Sequence, residues 1–340
     1  MTRNLLLLLV PAVMWAQTPV TALGNLAHAV ESLDKTVPFY ADLLGLAPNG
    51  NPLAAKPQPL DADMSRFTNT QGASFRVATF RIPGANFGWE LTEFTGGPRK
   101  ADRFAIQDPG SATLALQVRD IEAVMAKLKA ANVQVVTTGG VPVNPTGNAN
   151  SKFREVVVRD PDGFFVELQQ PDPIPANAPQ SNIIGGSIQI SVEDTDKSVK
   201  FYKDVVGFEE VEGFKVPGQF ALDTGLANNL QLDVHVLVLG KGEKATKLKL
   251  MQFKTAPGAR VDNTFIHSSY GFRYLTIAVK DVNASLARAA KAGAKPIAKC
   301  PVPLPEGFPA GLALANFPRP RRKPGRTRRS LEAVNAATMT

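Results

Sequence analysis

The sequence predicts an α+β protein made of tandem paired βαβββ modules, four units in all, and three observations support this prediction. The phrase Phe-Tyr-Ala-Asp-Leu-Leu-Gly-Leu at 39–46 returns as Phe-Tyr-Lys-Asp-Val-Val-Gly-Phe at 201–208. A second phrase, Val-Arg-Asp-Ile at 118–121, returns at nearly the same offset as Val-Lys-Asp-Val at 279–282. Two phrases that keep one spacing indicate a duplicated module of about 150 residues. In each half, one short helix is followed by several strands, an order that favours a sheet whose helices cover one face.

Local signals define the elements of the first copy. Ser32 can cap a helix that Gly45 ends, and Pro83-Gly84 between two alternating runs signals a hairpin. The segment 49–72 is rich in proline, so we predict a long loop there. The predicted helices are 32–44 and 121–131, and the predicted strands are 23–30, 75–82, 87–94, 113–118, 133–137, 155–159 and 164–169.

The second copy follows a polar, proline-rich linker at 173–182. Its predicted helices are 195–206 and 282–292, and its predicted strands are 187–192, 232–239, 247–253 and 274–279. The chain therefore divides into a first module at 20–172, the linker, and a second module at 183–317. The second module is expected to be incomplete, because no counterpart of the strand at 164–169 follows it.

Residues 1–16 have the pattern of a secretory signal. Arg3 precedes an apolar run from Leu5 to Val10, and the segment ends in the small residue Ala16. The apolar run is too short to span a bilayer. The sequence predicts cleavage after Ala16 and export, to a periplasm or out of the cell. The alternatives are an uncleaved anchor and a wrongly assigned start.

The formal net charge of +8 is concentrated in the tail at 318–340. The tail carries seven Lys and Arg residues against one acid, Glu332, so it contributes +6 and the rest of the chain only +2. A basic tail could bind nucleic acid through phosphate contacts. The nearly neutral remainder argues against nucleic acid as the partner.

In the first copy, the sequence Arg-Asp-Pro-Asp-Gly stands at 159–163. The tail begins at the equivalent position of the second copy, directly after Phe317, and does not contain this sequence. With Arg codons read as CGN and Pro codons as CCN, loss of one base at Pro318 permits the peptide Arg-Asp-Pro-Asp-Gly-Asn-Leu-Val-Glu-Leu. This peptide is the missing strand, and its Glu stands at the equivalent of Glu167. We therefore interpret 318–340 as a frameshift product, with a genuine basic tail as the alternative. A frameshift would leave the second module with an open sheet edge.

Both copies, from about Leu23 to Phe317, resemble the vicinal oxygen chelate superfamily. Its members include glyoxalases, bleomycin- and fosfomycin-resistance proteins and extradiol dioxygenases. The matching pieces are the strand before Ser32, the Phe-Tyr-x-Asp-x-x-Gly phrase, the Val-x-Asp helix starts, and Asp-Pro-Asp-Gly-Phe-Phe-Val-Glu-Leu at 160–168. The resemblance implies the glyoxalase/bleomycin-resistance/dihydroxybiphenyl dioxygenase fold, whose concave sheets would bind a small organic molecule.

The resemblance also implies four metal-ligand positions in a pair of units: His or Gln early on each first strand, and Glu on each last strand. A divalent ion held there can chelate two neighbouring oxygens of a substrate. The matching residues are Asn25, Glu90, Thr113 and Glu167 in the first copy and Ser187, Lys249 and Tyr274 in the second. The two units of the first copy should pair with each other, with their last strands facing inward. We therefore expect Glu90 and Glu167 to lie within a few ångströms of each other, in one cavity that Asn25 and Thr113 also line.

No matching position carries His, although zinc, iron and nickel favour imidazole. Glu90, Glu167 and the Asn25 carbonyl could hold a hard divalent ion loosely in the first module, whereas Lys249 should repel a cation. His28 shares a face of its predicted strand with Leu26 and Val30, which points it towards the helix. A register shift of one residue would reverse that orientation.

Three functions follow from these observations. The leading hypothesis is an exported two-module protein that binds a small organic molecule, has a degenerate metal site, requires no identified cofactor, and could form a homodimer. A metal-dependent lyase or dioxygenase that uses Asn25, Glu90 and Glu167 is the second. Nucleic-acid binding through the tail is the third and the least favoured. Whether units pair within one chain or between chains stays open at this stage.

Overall fold

The computed structural model describes residues 20–101, 104–146, 148–216, 224–226, 231–240, 245–259, 270–271 and 273–294. It also describes the backbone of three short strands at 302–303, 313–317 and 334–338. The predicted signal at 1–16 and most of the basic tail lie outside these residues.

The four predicted units are present in chain order. Unit 1 contains β1 (Val20–Val30), α1 (Leu33–Pro38), β2 (Gln58–Pro59), α2 (Ala62–Thr68), β3 (Ser74–Arg81) and β4 (Gly88–Thr95). Unit 2 contains β5 (Ala112–Val118), α3 (Ile121–Ala130), β6 (Arg154–Arg159) and β7 (Phe165–Gln170). Unit 3 contains β8 (Ile183–Ser191), α4 (Thr195–Phe201), β9 (Glu209–Val216), β10 (Leu232–Leu239) and β11 (Thr246–Phe253). Unit 4 contains β12 (Arg273–Val279), α5 (Val282–Lys291), β13 (Val302–Pro303), β14 (Ala313–Phe317) and β15 (Val334–Thr338).

The repeated phrase forms the same local structure in both copies. It continues α1 and α4 as π-helical turns at Phe39–Leu43 and Tyr202–Val206. Gly45 and Gly207 follow these turns with φ of 78° and 90°. Glycine occupies this left-handed region without steric cost and commonly ends helices there. The duplicated glycine is therefore explained by helix termination.

Units pair as 1 with 4 and 2 with 3. The eight-stranded sheet runs β13-β14-β15-β12-β1-β4-β3-β2, and the seven-stranded sheet runs β6-β7-β5-β8-β11-β10-β9. First strands meet at the centre of each sheet, because β1 is antiparallel to β12 and β5 is antiparallel to β8. Both pairings are completed within one chain. The expected pairing of unit 1 with unit 2 is therefore wrong.

One apolar cluster joins the two sheets and the helices. It contains Leu26 and Trp89 from the eight-stranded sheet and Leu114 and Val166 from the seven-stranded sheet. Residues of α1, α3, α4 and α5 belong to the same cluster. Residues that alternate with these core positions point to the opposite, outer face of each sheet. None of the described helices is both long enough and apolar enough to cross a membrane.

Local predictions differ from the structure at four places. The predicted loop at 49–72 contains β2 and α2, because Asp61 caps α2 by accepting a 2.7 Å hydrogen bond from the Met64 amide. The predicted strand at 133–137 forms only an isolated bridge, between Val135 and Val158. β9 was not predicted. Ser32 stands at the start of α1 without a side-chain capping bond, and Glu93 instead accepts from the Leu33 amide at 2.6 Å.

The sequence predicts that unit 4 lacks its last strand, but the structure has a strand, β15, in that place. β15 is parallel to β12 and antiparallel to β14, as β7 is parallel to β5 and antiparallel to β6. An edge strand offers unpaired backbone groups that an extended segment can satisfy, and 334–338 does so here. The interpretation of 318–340 as a frameshift product stays a prediction, since 318–333 lies outside the described residues.

Candidate functional site

Strand alternation places the candidate carboxylates on the outer faces of the sheets. Trp89 and Leu91 are buried in the shared apolar cluster, so Glu90 between them points the other way. Val166 and Leu168 flank Glu167 in the same manner. The two carboxylates therefore lie on two different sheets and face away from the layer between them. The prediction that Glu90 and Glu167 share a cavity is wrong.

Strand register identifies the equivalent positions of the four units. In each unit, one candidate residue lies on the first strand and one on the last strand. The candidate on the last strand is the register partner of the residue two positions after the candidate on the first strand. The pairs are Glu90 with Ala27, Glu167 with Ala115, Lys249 with Gln189 and Asn335 with Thr276. Asn335 therefore occupies the fourth last-strand position, which the sequence comparison left blank.

The seven predicted residues fall into two separate groups. The Glu90 site, on the eight-stranded sheet, comprises Asn25, Glu90, Tyr274 and backbone position 335. The Glu167 site, on the seven-stranded sheet, comprises Thr113, Glu167, Ser187 and Lys249. We expected Thr113 to lie beside Asn25, but the two residues belong to different sites. The sequence could not show this grouping, because it depends on which units pair.

In the Glu90 site, three neutral side chains hold one carboxylate. Asn25 Nδ2 donates to Glu90 Oε2 at 2.8 Å, and Tyr274 OH donates to Glu90 Oε1 at 2.9 Å. The Thr92 hydroxyl lies 3.3 Å from the same Oε1 atom and donates to it. Tyr274 is 8% exposed, and its pKa lies well above the ordinary 10.0 because of burial and the nearby charge of Glu90. Tyr274 therefore stays a neutral donor, while Glu90 itself is only partly buried.

Gly88 makes room for Asn25. The two residues are register partners on β4 and β1. A Cβ atom at position 88 would stand 2.1 Å from Oδ1 of Asn25, far inside van der Waals contact. A side chain at position 88 would therefore push the Asn25 amide out of its present position beside Glu90. Sequence reasoning missed Gly88 and Thr92, although both flank Glu90 at a spacing of two residues.

In the Glu167 site, the carboxylate is sealed from solvent. Glu167 is 3% exposed, and Gln189 Nε2 donates to its Oε2 at 2.8 Å. Gln169 Nε2 donates to Oε1. Burial raises the pKa of Glu167, while the positive charge of Lys249 and the two glutamine bonds act in the opposite direction. Sequence reasoning missed both glutamines, which alternate with core residues on β7 and β8.

A second apolar cluster covers the same face of the seven-stranded sheet. Val157 is the register partner of Glu167, and Phe165 and Met251 stand two residues from Glu167 and Lys249 along their strands. The buried members of this cluster are Phe104, Ile106, Val157, Phe165, Leu232, Val234, Met251 and Phe253. The Glu167 site is thus covered by apolar side chains, in contrast with the partly exposed Glu90.

His28 faces the shared core, as predicted, and lies beside two acids. His28, Asp160 and Asp162 are buried and offer ligand atoms within 4.8 Å of one another, a spacing that could hold a metal ion. His28 Nε2 is 3.1 Å from Asp160 Oδ2. Burial raises the pKa of Asp162, the positive charge of a protonated His28 lowers it, and the charge of Asp160 raises it further.

Protein donors already occupy the oxygen atoms of these two acids. Asp160 Oδ1 accepts from the amides of Asp162 and Phe164, and Oδ2 accepts from the Tyr40 hydroxyl at 3.0 Å. Asp162 accepts from the Glu31 amide at 2.8 Å and from the Thr36 hydroxyl at 2.6 Å. A metal ion would have to displace several of these bonds. The cluster also fastens unit 1 to the Asp-Pro-Asp-Gly turn of unit 2.

The family's metal positions do not fit a transition metal in this chain. The Glu90 site offers one carboxylate, one amide and a phenol that donates to the carboxylate, and the Glu167 site offers one carboxylate beside an ammonium group. Zinc, iron and nickel sites are built from imidazole, thiolate or several carboxylates. Neither described site has such a set.

Comparison with known proteins agrees with this architecture. Residues 22–168 and 186–301 match the family model of the Glyoxalase/Bleomycin resistance protein/Dioxygenase superfamily. Lactoylglutathione lyase from rice, Oryza sativa subsp. japonica, is 26% identical over 203 residues, which span 60% of this chain and 59% of the rice protein, less than two thirds of its length. The crystal structure of glyoxalase I from Zea mays is similar in fold, with a TM-score of 0.59 at 18% sequence identity. The aligned region covers 93% of this chain and 92% of the maize chain. The chain belongs to the Glyoxalase/Bleomycin resistance protein/Dioxygenase superfamily, as the sequence resemblance predicted.

Proposed function

We propose that the Glu90 site binds a small organic molecule that donates a hydrogen bond to Glu90, without a metal ion. The observation that carries this proposal is the geometry of Glu90, which is held on both oxygen atoms by neutral donors and is only partly buried. A carboxylate offers about four acceptor sites, and Asn25, Thr92 and Tyr274 use three of them. Among the described side chains, these three are the donors to Glu90, which leaves one acceptor position for a ligand.

The charge of the Glu90 site limits the class of ligand. Asn25, Thr92 and Tyr274 are neutral, so the negative charge of Glu90 is not cancelled by its own hydrogen-bond partners. A ligand with a hydroxyl or ammonium donor would gain a charge-assisted hydrogen bond. The name of the rice relative, lactoylglutathione lyase, makes lactoylglutathione the first compound to test, since it carries both donor types.

Calorimetry tests this proposal directly. Lactoylglutathione and small hydroxy acids are titrated into the wild-type protein, the Glu90→Gln variant and the Glu122→Gln variant. Glu122 is an exposed acid on α3 and serves as the control. We expect Glu90→Gln to weaken binding about tenfold, the usual effect of losing a hydrogen bond to a charged group. Equal affinities of wild type and Glu90→Gln would contradict the proposal.

Export of the protein is part of the same proposal and is supported by Arg3 and the apolar run at 5–10. Cell fractionation followed by N-terminal sequencing is the test. We expect the mature chain to begin at Gln17 and to leave the cytoplasm. A full-length chain that begins at Met1 and stays in the cytoplasm would contradict export.

A second candidate function is metal-dependent chemistry at His28, Asp160 and Asp162, favoured by their mutual distances within 4.8 Å. Metal analysis after dialysis separates it from the first. Stoichiometric zinc, iron or nickel that is lost in Asp162→Asn would favour the metal function. We expect no retained metal, because the carboxylate oxygen atoms already accept hydrogen bonds from the protein.

A further inference from the structure

The Glu167 site contains a cation that the chain itself supplies. Lys249 stands on β11 at the last-strand position of unit 3, and its register partner on β8 is Gln189. Gln189 in turn donates to Glu167 at 2.8 Å. Gln189 is also the register partner of Thr113 on β5. Thus one glutamine connects the lysine strand, the glutamate and the strand of Thr113.

The carboxylate of Glu167 needs a compensating charge if it is to be ionised. A buried, unpaired carboxylate is strongly destabilising, because it has lost its hydration. Lys249 acts on Glu167 in the direction that favours the charged form. Charged groups of the neighbouring positions also face this region: Gln169 donates to Glu155 at 3.5 Å, the Arg159 guanidinium lies over the Phe165 ring, and Lys247 lies two residues before Lys249 on β11. Arg159 is held by the carbonyls of Gly163 and Phe104.

We infer that Lys249 takes the electrostatic place of a divalent metal ion at the Glu167 site, so that this site is a closed structural centre that excludes metal. The ammonium stands at a position where the fold family carries a ligating carboxylate. Its positive charge favours the ionised form of Glu167, which is buried on the face that the apolar cluster with Phe165 and Met251 covers. This inference concerns the seven-stranded sheet and is independent of ligand binding at Glu90.

Reversal of the charge at position 249 should convert this centre into a metal site. Lys249→Glu would place two carboxylates beside the hydroxyls of Thr113 and Ser187. Such an all-oxygen set suits a hard divalent ion. The double variant Lys249→Glu/Glu167→Gln keeps one carboxylate in the same place and serves as the matched control.

Titration with Mn²⁺, followed by electron paramagnetic resonance, tests the inference. We expect no Mn²⁺ bound at this site in the wild type, and binding to Lys249→Glu that is at least about tenfold tighter than to the double variant. Mn²⁺ should also raise the melting temperature of Lys249→Glu. Wild-type binding of Mn²⁺ that disappears in Glu167→Gln would overturn the inference. So would a folded Lys249→Glu protein that binds Mn²⁺ no better than the wild type.

Lys249→Met provides a second test in case Lys249→Glu does not fold. The variant removes the charge and keeps most of the apolar side chain. Without Lys249 the pKa of Glu167 should rise further, so the loss of stability should be greatest at neutral pH and shrink as the pH falls and Glu167 is protonated. A loss of stability that is the same at all pH values would show that Lys249 contributes only packing, and it would overturn the inference.

Discussion

The hydroxyl of Tyr274 donates a 2.9 Å hydrogen bond to Oε1 of Glu90, a residue 184 positions earlier in the chain. This bond joins unit 4 to unit 1 across the centre of the eight-stranded sheet. It therefore shows that the Glu90 site is assembled from the two ends of the sequence. A site built in this way depends on the unit pairing and not only on its local strands.

Tyr274→Phe should weaken the Glu90 site without unfolding the protein. The change removes one donor to a partly exposed carboxylate that water can replace in part, so we expect a stability loss of about 1 kcal/mol. Urea unfolding measures this loss, and calorimetry with the compounds tested on Glu90→Gln measures the effect on binding. Tyr270→Phe, outside the Glu90 site, is the control. Unchanged ligand affinity in Tyr274→Phe would argue against a role in positioning Glu90.

Gly88→Ala should displace the Asn25 amide from Glu90. The added Cβ would stand 2.1 Å from Asn25 Oδ1, so Asn25 must leave its present rotamer. Because the colliding atom is the end of a flexible side chain, we expect the cost to be that of the lost Asn25–Glu90 hydrogen bond, about 1 kcal/mol. In the Asn25→Ala background the same change should cost much less, because the colliding atom is gone. Equal costs in both backgrounds, measured as a double-mutant cycle, would contradict the contact.

The pH dependence of stability should report on Asp162. Burial raises its pKa above the ordinary 3.8 in the folded protein. A carboxyl whose folded pKa is raised favours folding when protonated, so its contribution to stability grows as the pH falls through the folded pKa and is lost at higher pH. Asp162→Asn, in which position 162 no longer titrates, should flatten the acid side of the stability profile. An identical profile in urea titrations from neutral to acid pH would exclude Asp162 as a contributor.

Truncation after Phe317 tests the role of β15. β15 pairs with both β12 and β14, so its removal opens the eight-stranded sheet beside unit 4. We expect lower stability and more aggregation, as for other exposed edges.

The frameshift interpretation has its own test. A frame-restored chain that continues Arg-Asp-Pro-Asp-Gly-Asn-Leu-Val-Glu-Leu after Phe317 should be more stable than both the given chain and the truncated chain. Resequencing across the Phe317 codon settles the frame, and an unchanged reading would count against the frameshift interpretation.

The same truncated protein tests nucleic-acid binding. The tail at 318–340 carries most of the excess positive charge. If the tail bound DNA, affinity would fall steeply with salt and disappear after truncation. We expect weak binding that does not distinguish one sequence from another, measured by fluorescence anisotropy at two salt concentrations. Tight binding that survives physiological salt would revive this function.

The sequence by itself determined the duplicated units, most of their strands and helices, and the residues at the candidate positions. These features depend on local signals. Alternation oriented His28 correctly, towards the side of β1 that carries Leu26 and Val30, and the repeated glycine ends the same helical turn in both copies. The absence of His from the ligand positions was also visible in the sequence, and the neutral partners of Glu90 and the lysine beside Glu167 are consistent with it.

Only the tertiary structure decided which units share a sheet. All four units have first strands with similar free edges, so pairing of 1 with 2 and pairing of 1 with 4 look alike in sequence. Because unit 1 pairs with unit 4, Tyr274 lies beside Glu90, and because unit 2 pairs with unit 3, Lys249 lies near Glu167. The two carboxylates that were expected to act together therefore lie on different sheets. The physical reason is that edge strands satisfy backbone hydrogen bonds with little regard to side chains. Long-range packing, which no local pattern encodes, makes the choice.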